Sequence, residues 1–285
     1  MNTPTPFRTP SPGNKPIIAV CGATGLQGGS VVNHLLRDGR FAVRALTRKP
    51  TSFRAKGRDV FFYSIRPKMT LILLVELVRA GAIVVEADFG NVSSLYNAFE
   101  GCYGAFGNTD YFEAFEEEAQ HGINIVNAAK AMKLKHLVMS TTPLVELAKD
   151  VAVAKYKYQA HIHLKKSGVP HTGFSPTFYF GNVFLFDMLT KGANGNWVMK
   201  FPFPYDVPIA CTSPKDIGAY VLAAFANPSE WIGKDMWICN ELVSLRQFVE
   251  TFTEITGFNV KVYESTREDF FALKDEPFVV GIWGW

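Results

Sequence analysis

The chain has 285 residues, 48% hydrophobic and 19% charged, which is enough to bury a large core in one domain with appendages. Its 29 basic and 26 acidic residues leave a net charge of +3 with no long basic run, which argues against direct nucleic-acid binding. Cys21, Cys102, Cys211 and Cys239 are scattered, without the close pairs of a disulfide framework or zinc site, so a reduced intracellular protein is expected and no metal.

Residues 1–15 are rich in Pro, Thr and Ser and read as a disordered tail rather than a secretory signal. From residue 16 short β-rich runs alternate with longer amphipathic stretches, the pattern of a parallel sheet covered by helices on both faces. Strands are predicted at 16–21, 42–47, 82–87, near 102–107, and at 136–140. The first helix runs over 26–37 and stops at Gly39; Asn91 caps a short helix bearing Leu95 and Phe99; a longer helix is expected over 112–132. The apolar run 69–78 contains Glu76 and is too short to span a bilayer, so a soluble cytoplasmic protein is expected, with the nucleus as a second compartment.

Beyond Ser140 a helix is expected over 155–167 and a strand at 171–174, followed by a stretch rich in Pro and Phe up to Pro208. Ser213-Pro214-Lys215-Asp216 reads as a helix start with Ser213 as N-cap, and Ser244-Leu245-Arg246-Gln247 as a capping box for a helix ending near Gly257, before a strand at 259–263. The domains follow: a sheet domain over 16–175 and a smaller mixed C-terminal lobe over 176–285, expected at the sheet's carboxyl edge.

The chemistry begins at Gly22-Ala23-Thr24-Gly25-Leu26-Gln27-Gly28, between the first strand and first helix. Unpaired amides and the dipole at a helix start favour a pyrophosphate, provided that no side chain stands in the way. Gly22 permits the tight turn, Gly25 the close approach, and Gly28 the packing of helix on strand; Thr24, Leu26 and Gln27 complete the loop. At the end of the second strand, where an acidic residue would take the ribose hydroxyl of NAD, stand Arg48 and Lys49. A guanidinium clamps a 2′-phosphate, so NADP(H) is expected over NAD(H), the alternative being a solvated loop pair. Asp88 is placed either for the adenine edge or for a helix cap.

These stretches resemble the NmrA-like family of atypical short-chain dehydrogenases, NAD(P)-binding proteins of Rossmann fold: residues 22–31 (GATGLQGGSV), 43–50 (VRALTRKP) and 81–88 (GAIVVEAD) carry the resemblance, with 168–172, 176–182 and 213–217 in agreement. It covers residues 16–265 and implies an α/β, doubly wound parallel sheet with a smaller mixed lobe. It also implies that Lys157 lies beside the nicotinamide, with contacts from Thr109 and Tyr111; Lys157 is the candidate catalytic residue, or else a solvated helix lysine. Residues 61–74 are an apolar stretch beyond the family's usual length, read as an added helix, an interface segment or a gene-model error. The two tryptophans in 278–285 imply either a covering partner or a truncated chain.

An ordinary short-chain reductase pairs a tyrosine acid with a lysine four residues later, and none of the ten tyrosines here has one; Val153 stands at that place before Lys157. Ser140 can only hydrogen-bond, and Tyr156, Tyr158 and His161 are alternative proton donors or packing residues. Two readings result. One is a redox-responsive regulator that binds NADP(H) and a protein partner such as a transcription factor or metabolic enzyme, as monomer or homodimer. The other is an NADPH-dependent reductase of a small apolar or aromatic carbonyl or enone, similar to isoflavone reductase, with the phenylalanines of 174–203 as its substrate bed.

Overall fold

The computed structural model describes residues 15–48, 76–149, 151–186, 188–192, 195–201, 205–264, 266 and 268. The expectations for the N-terminal tail, Lys49, the apolar stretch 61–74 and the terminal tryptophans fall outside the described residues. The chain divides into two compact units, one of residues 1–144, 156–175 and 214–236, the other of 145–155, 176–213 and 237–285.

In the first unit β1 (Ile17–Val20), β2 (Ala42–Thr47), β3 (Ile83–Glu86), β4 (Gly104–Gly107), β5 (His136–Ser140) and β6 (His171–Pro176) form a parallel sheet ordered β6-β5-β4-β1-β2-β3, and β11 (Asp235–Ile238) adds a seventh strand beside β6. Every residue of β4 and β5 is buried, because helices cover both faces of such a sheet. Consecutive strands diverge from the β1/β4 boundary, the switch point outside which ligands of such sheets bind.

Helix α1 (Leu26–Asp38) ends on Gly39, whose φ of +77° is left-handed as a helix terminus of this kind requires. It packs against α7 (Ile217–Ala226), where the Ser30 hydroxyl donates to the Lys215 carbonyl at 2.7 Å and accepts from the Gly218 amide at 2.9 Å. A Cβ at Gly218 would lie 2.2 Å from the Ser30 carbonyl oxygen, so glycine sets how close the helices come. This arrangement also moves the helix start expected at Ser213. The Lys215 carbonyl turns to Ser30, the N-cap is Asp216, and the Ser213 amide donates instead to Asn240 Oδ1.

Helix α2 (Val92–Phe99) has the expected Asn91 cap, which accepts from the amides of Ser93 and Ser94. The single helix expected over 112–132 is broken into α3 (Tyr111–Ala114), a 3-10 turn (Phe115–Glu117) and α4 (Glu118–Ala131). Tyr111 packs against both Phe112 and Phe115 around the break, and Phe115 takes φ +46°, a conformation that costs on the order of 1–3 kcal/mol and persists only where its surroundings impose it. Helix α5 (Ala152–Ser167) starts before the expected Lys155, and α8 (Pro228–Trp231) follows α7.

Among the described residues the second unit holds two three-stranded sheets. One is β12-β10-β7, from β7 (Phe178–Tyr179), β10 (Ile209–Thr212) and β12 (Glu241–Val243); the other is β13-β9-β8, from β8 (Leu189–Lys191), β9 (Trp197–Phe201) and β13 (Val260–Glu264). Helices α6 (Asn182–Leu185) and α9 (Leu245–Thr256) belong with them, α9 opening on the expected Ser244/Gln247 capping box and closing on Gly257. Among the described residues no helix is long and apolar enough to cross a membrane.

Candidate functional site

The glycine loop is tied to both neighbouring strands. The Cys21 amide donates to the Phe106 carbonyl at 2.9 Å and the Ala23 amide to the Leu46 carbonyl at 3.3 Å. Gly22 has φ +63°, which lets the chain turn out of β1 directly into α1. A Cβ on Gly28 would stand 2.2 Å from the Gly22 carbonyl oxygen and 2.9 Å from the Ala23 nitrogen, so only glycine fits where α1 rests on the turn. Gly25 is the N-cap of α1 and carries no side chain to accept from the first-turn amides, which leaves the helix start open to an anion. Beside it two buried oxygens, Gln27 Oε1 and Asn108 Oδ1, have no hydrogen-bond partner. Thr24 is half-buried and Leu26 exposed on the same loop. A bare backbone, an uncapped helix start and two orphaned polar atoms are what a dinucleotide diphosphate and its hydroxyls would satisfy, so the residues fit that group.

Arg48 follows β2 directly and its guanidinium pairs with the carboxylate of Glu113 on α3; the side chains are 53% and 25% exposed. Asp88, after β3, accepts from the Gly90 amide at 2.9 Å, closing the turn into α2, while Asn91 rather than Asp88 is the helix cap. His121 packs edge-on against Phe89, and burial lowers its pKa below the ordinary histidine value.

At the carboxyl end of β4 the structure brings Thr109 and Lys157 together, with a third residue. Lys157 Nζ donates to the Thr109 carbonyl at 2.6 Å and the Thr109 hydroxyl at 2.9 Å, and forms an ion pair with Glu118 Oε1 at 2.8 Å. The Thr109 hydroxyl in turn donates to the same Glu118 oxygen at 2.9 Å. Glu118 is completely buried and Lys157 16% exposed, so the cation is held by three acceptors in a nearly dry place. Tyr111 stacks on Tyr156, the ring planes 17° apart, and burial raises its pKa, with the neighbouring Tyr156, Glu116 and Glu118 adding to the effect. Ser140 is buried at the end of β5 and Tyr158 is half-buried. His161, 1% exposed, faces the Thr142 carbonyl at 2.8 Å and Asp235 at 3.2 Å, an arrangement that anchors α5; His163 turns elsewhere, to Asn127 at 2.8 Å.

Sequence reading missed Asn108, Glu113 and Glu118. For Glu118 a signal existed: with Gly122, Ile125 and Ala129 it lies on the buried stripe of α4, at helical spacing, where a carboxylate demands a partner. Nothing comparable marks Glu113, which matters only because α3 aims it at Arg48.

A profile of the NmrA-like family matches residues 14–280. The chain belongs to the NmrA-like family. Among its relatives are the NmrA-like family domain-containing oxidoreductases himF of Aspergillus japonicus, 29% identical and covering 85% of this chain and 73% of the relative, and FrzB of Cladobotryum sp, 29% identical over 85% and 74%. Its fold is that of crystalline NmrA, a negative transcriptional regulator, with TM-score 0.73 at 23% identity over 88% of this chain and 74% of that one. A triphenylmethane reductase of Citrobacter sp. superposes with TM-score 0.68 at 15% identity, over 94% of this chain and 84% of the other.

Proposed function

We propose that this NmrA-like protein binds NADP(H) at the glycine loop and acts as a redox-responsive regulator whose grip on a protein partner follows the state of the dinucleotide. The observation that carries the reading is the side-chain-free cradle at Gly22, Gly25 and Gly28, with Arg48 at the end of the adjacent strand. Gln27 and Asn108 supply orphaned acceptors, Arg48 the cationic end for the 2′-phosphate, Asp88 a carboxylate near the adenine side, and Thr109, Tyr111 and Lys157 the nicotinamide side. NmrA itself has been crystallised with NADP and with NAD, which accords with this use of the fold.

When bound, the nicotinamide supplies or accepts a hydride. What distinguishes a sensor from a catalyst is then the proton. Lys157 has its donors engaged by Thr109 and Glu118, His161 by Thr142 and Asp235, and no tyrosine is placed one helical turn before Lys157. A site that can hold a dinucleotide while its lysine and histidine are engaged by neighbouring groups suits recognition better than turnover. In the second unit Leu242 and Ile255 are 65% and 78% exposed, apolar side chains that a partner would cover.

A second reading, an NADPH-dependent reductase of a small apolar or aromatic carbonyl or enone, is favoured by the oxidoreductase names of the curated relatives and by a small apolar hollow in the second unit lined by Phe178, Phe180, Val183, Ile209 and Leu245. Calorimetric titration with NADP+, NADPH, NAD+ and NADH, followed by NADPH consumption with a panel of aromatic ketones and enones, separates the two. NADP(H) uptake without turnover supports the regulator; sustained turnover removes it; no uptake of any dinucleotide removes both.

A further inference from the structure

We propose that Glu113 determines dinucleotide selectivity by competing with the 2′-phosphate for Arg48, which holds down the preference for NADP(H) over NAD(H). The inference rests on the reading of Arg48 as the residue that meets the phosphorylated ribose. The Arg48 guanidinium is engaged by Glu113 and both side chains remain partly exposed, so an incoming anion reaches a cation that already has a carboxylate against it. The phosphate must either displace that carboxylate or share the guanidinium with it at close range, and two like charges on one cation repel. A dinucleotide with a bare 2′-hydroxyl meets neither obstacle.

Glu113 is not a loose surface residue. It sits on α3, which begins at the Asp110 cap, is packed through Tyr111 against Phe112, Phe115 and Tyr156, and ends at the strained Phe115. The flanking residues Thr109 and Glu118 are both bound to Lys157. The backbone segment carrying the competing carboxylate is thus held on both sides, which keeps Glu113 within reach of Arg48. The pair is partly solvated, which keeps its strength within the range of exposed ion pairs and makes Glu113 a tuner of affinity rather than a block.

The test is calorimetric binding of NADP+ and NAD+ at pH 8, where the 2′-phosphate is doubly charged, to the unchanged protein, Glu113→Gln, Arg48→Ala and the double variant. Glu113→Gln should raise the ratio of NADP+ to NAD+ affinity about three- to fivefold, the scale of a partly exposed pair, and the rise should vanish in the Arg48→Ala background. Glu113→Ala, which has no amide to donate to a phosphate, is run in parallel and must move the ratio in the same direction. An unchanged ratio in a protein that still prefers NADP+ overturns the role of Glu113 and leaves Arg48 as the phosphate reader. A rise that persists without Arg48 also overturns it, since a general field effect of removing one negative charge would then account for the gain. Failure of the unchanged protein to take up either dinucleotide ends this inference together with the functional reading beneath it.

Discussion

The buried ion pair between Glu118 and Lys157 gives a quantitative test of how this site is held together. Lys157 is surrounded by the Thr109 carbonyl at 2.6 Å, the Thr109 hydroxyl at 2.9 Å and Glu118 Oε1 at 2.8 Å, with the carboxylate fully buried and the lysine 16% exposed. Glu118→Leu would leave an ammonium ion in this place without its counter-charge, which costs about 3–5 kcal/mol. Glu118→Gln also removes the counter-charge but keeps an oxygen that can accept from Thr109 and Lys157, although its amide then stands without an acceptor where the buried Oε2 has no partner. That substitution should cost less, about 1–2 kcal/mol, the difference between charged and neutral hydrogen bonds. Replacing both residues by Glu118→Leu and Lys157→Met removes the two charges together and should restore stability to within about 1 kcal/mol of the unchanged protein. Urea unfolding followed by tryptophan fluorescence measures all four proteins. A loss below about 1 kcal/mol for Glu118→Leu, the range of a solvated surface pair, or a double variant as unstable as the single, would refute the buried network.

Further outcomes follow from the same structure. Gly28→Ala should abolish dinucleotide uptake while leaving the far-UV spectrum in place, since its Cβ would lie 2.2 Å from the Gly22 carbonyl and force the cradle open; retained affinity in calorimetry would contradict this. Arg48→Ala should weaken NADP+ by about tenfold or more, the loss of charge-assisted bonds, and NAD+ much less; equal losses would show that Arg48 does not read the phosphate. His136 is buried, donates through Nε2 to Thr172 and has no partner at Nδ1, and burial, reinforced by His171, lowers its pKa from the ordinary 6.5 to about 4. The unfolded chain therefore binds the proton that the folded one refuses: stability is unaffected above pH 6.5 and falls as pH drops toward 4, by about 3 kcal/mol in all, a slope that His136→Leu should remove from pH-dependent unfolding curves. Burial pushes the Cys21 thiol up to about 12, so alkylation of the native protein at pH 8 should label the exposed Cys239 and spare Cys21; early mass-spectrometric modification of Cys21 would mean the loop opens freely.

Much of the first unit was legible because its signals are local. Strands β2 and β5 fall where runs of apolar residues end in polar ones, α1 spans from the glycine loop to a glycine terminus, and α9 begins at a capping box; each is written within one or two turns of chain. Where a distant group intervened, local reading failed. The cap expected at Ser213 gave way because the Lys215 carbonyl bonds to Ser30, and the helix expected over 112–132 breaks where three aromatic rings pack at Phe115 and Glu118 turns inward to Lys157.

The amino-acid order by itself determined the parallel sheet, the glycine cradle and the choice of a cation after β2, since a turn, a cap or a missing Cβ acts on neighbouring residues. Only the tertiary structure decided what those groups meet. Arg48 faces Glu113 and Lys157 faces Glu118 across long stretches of chain, and the energy of a charge depends on the counter-charge and the water that folding places around it, neither of which its own neighbours in sequence can specify.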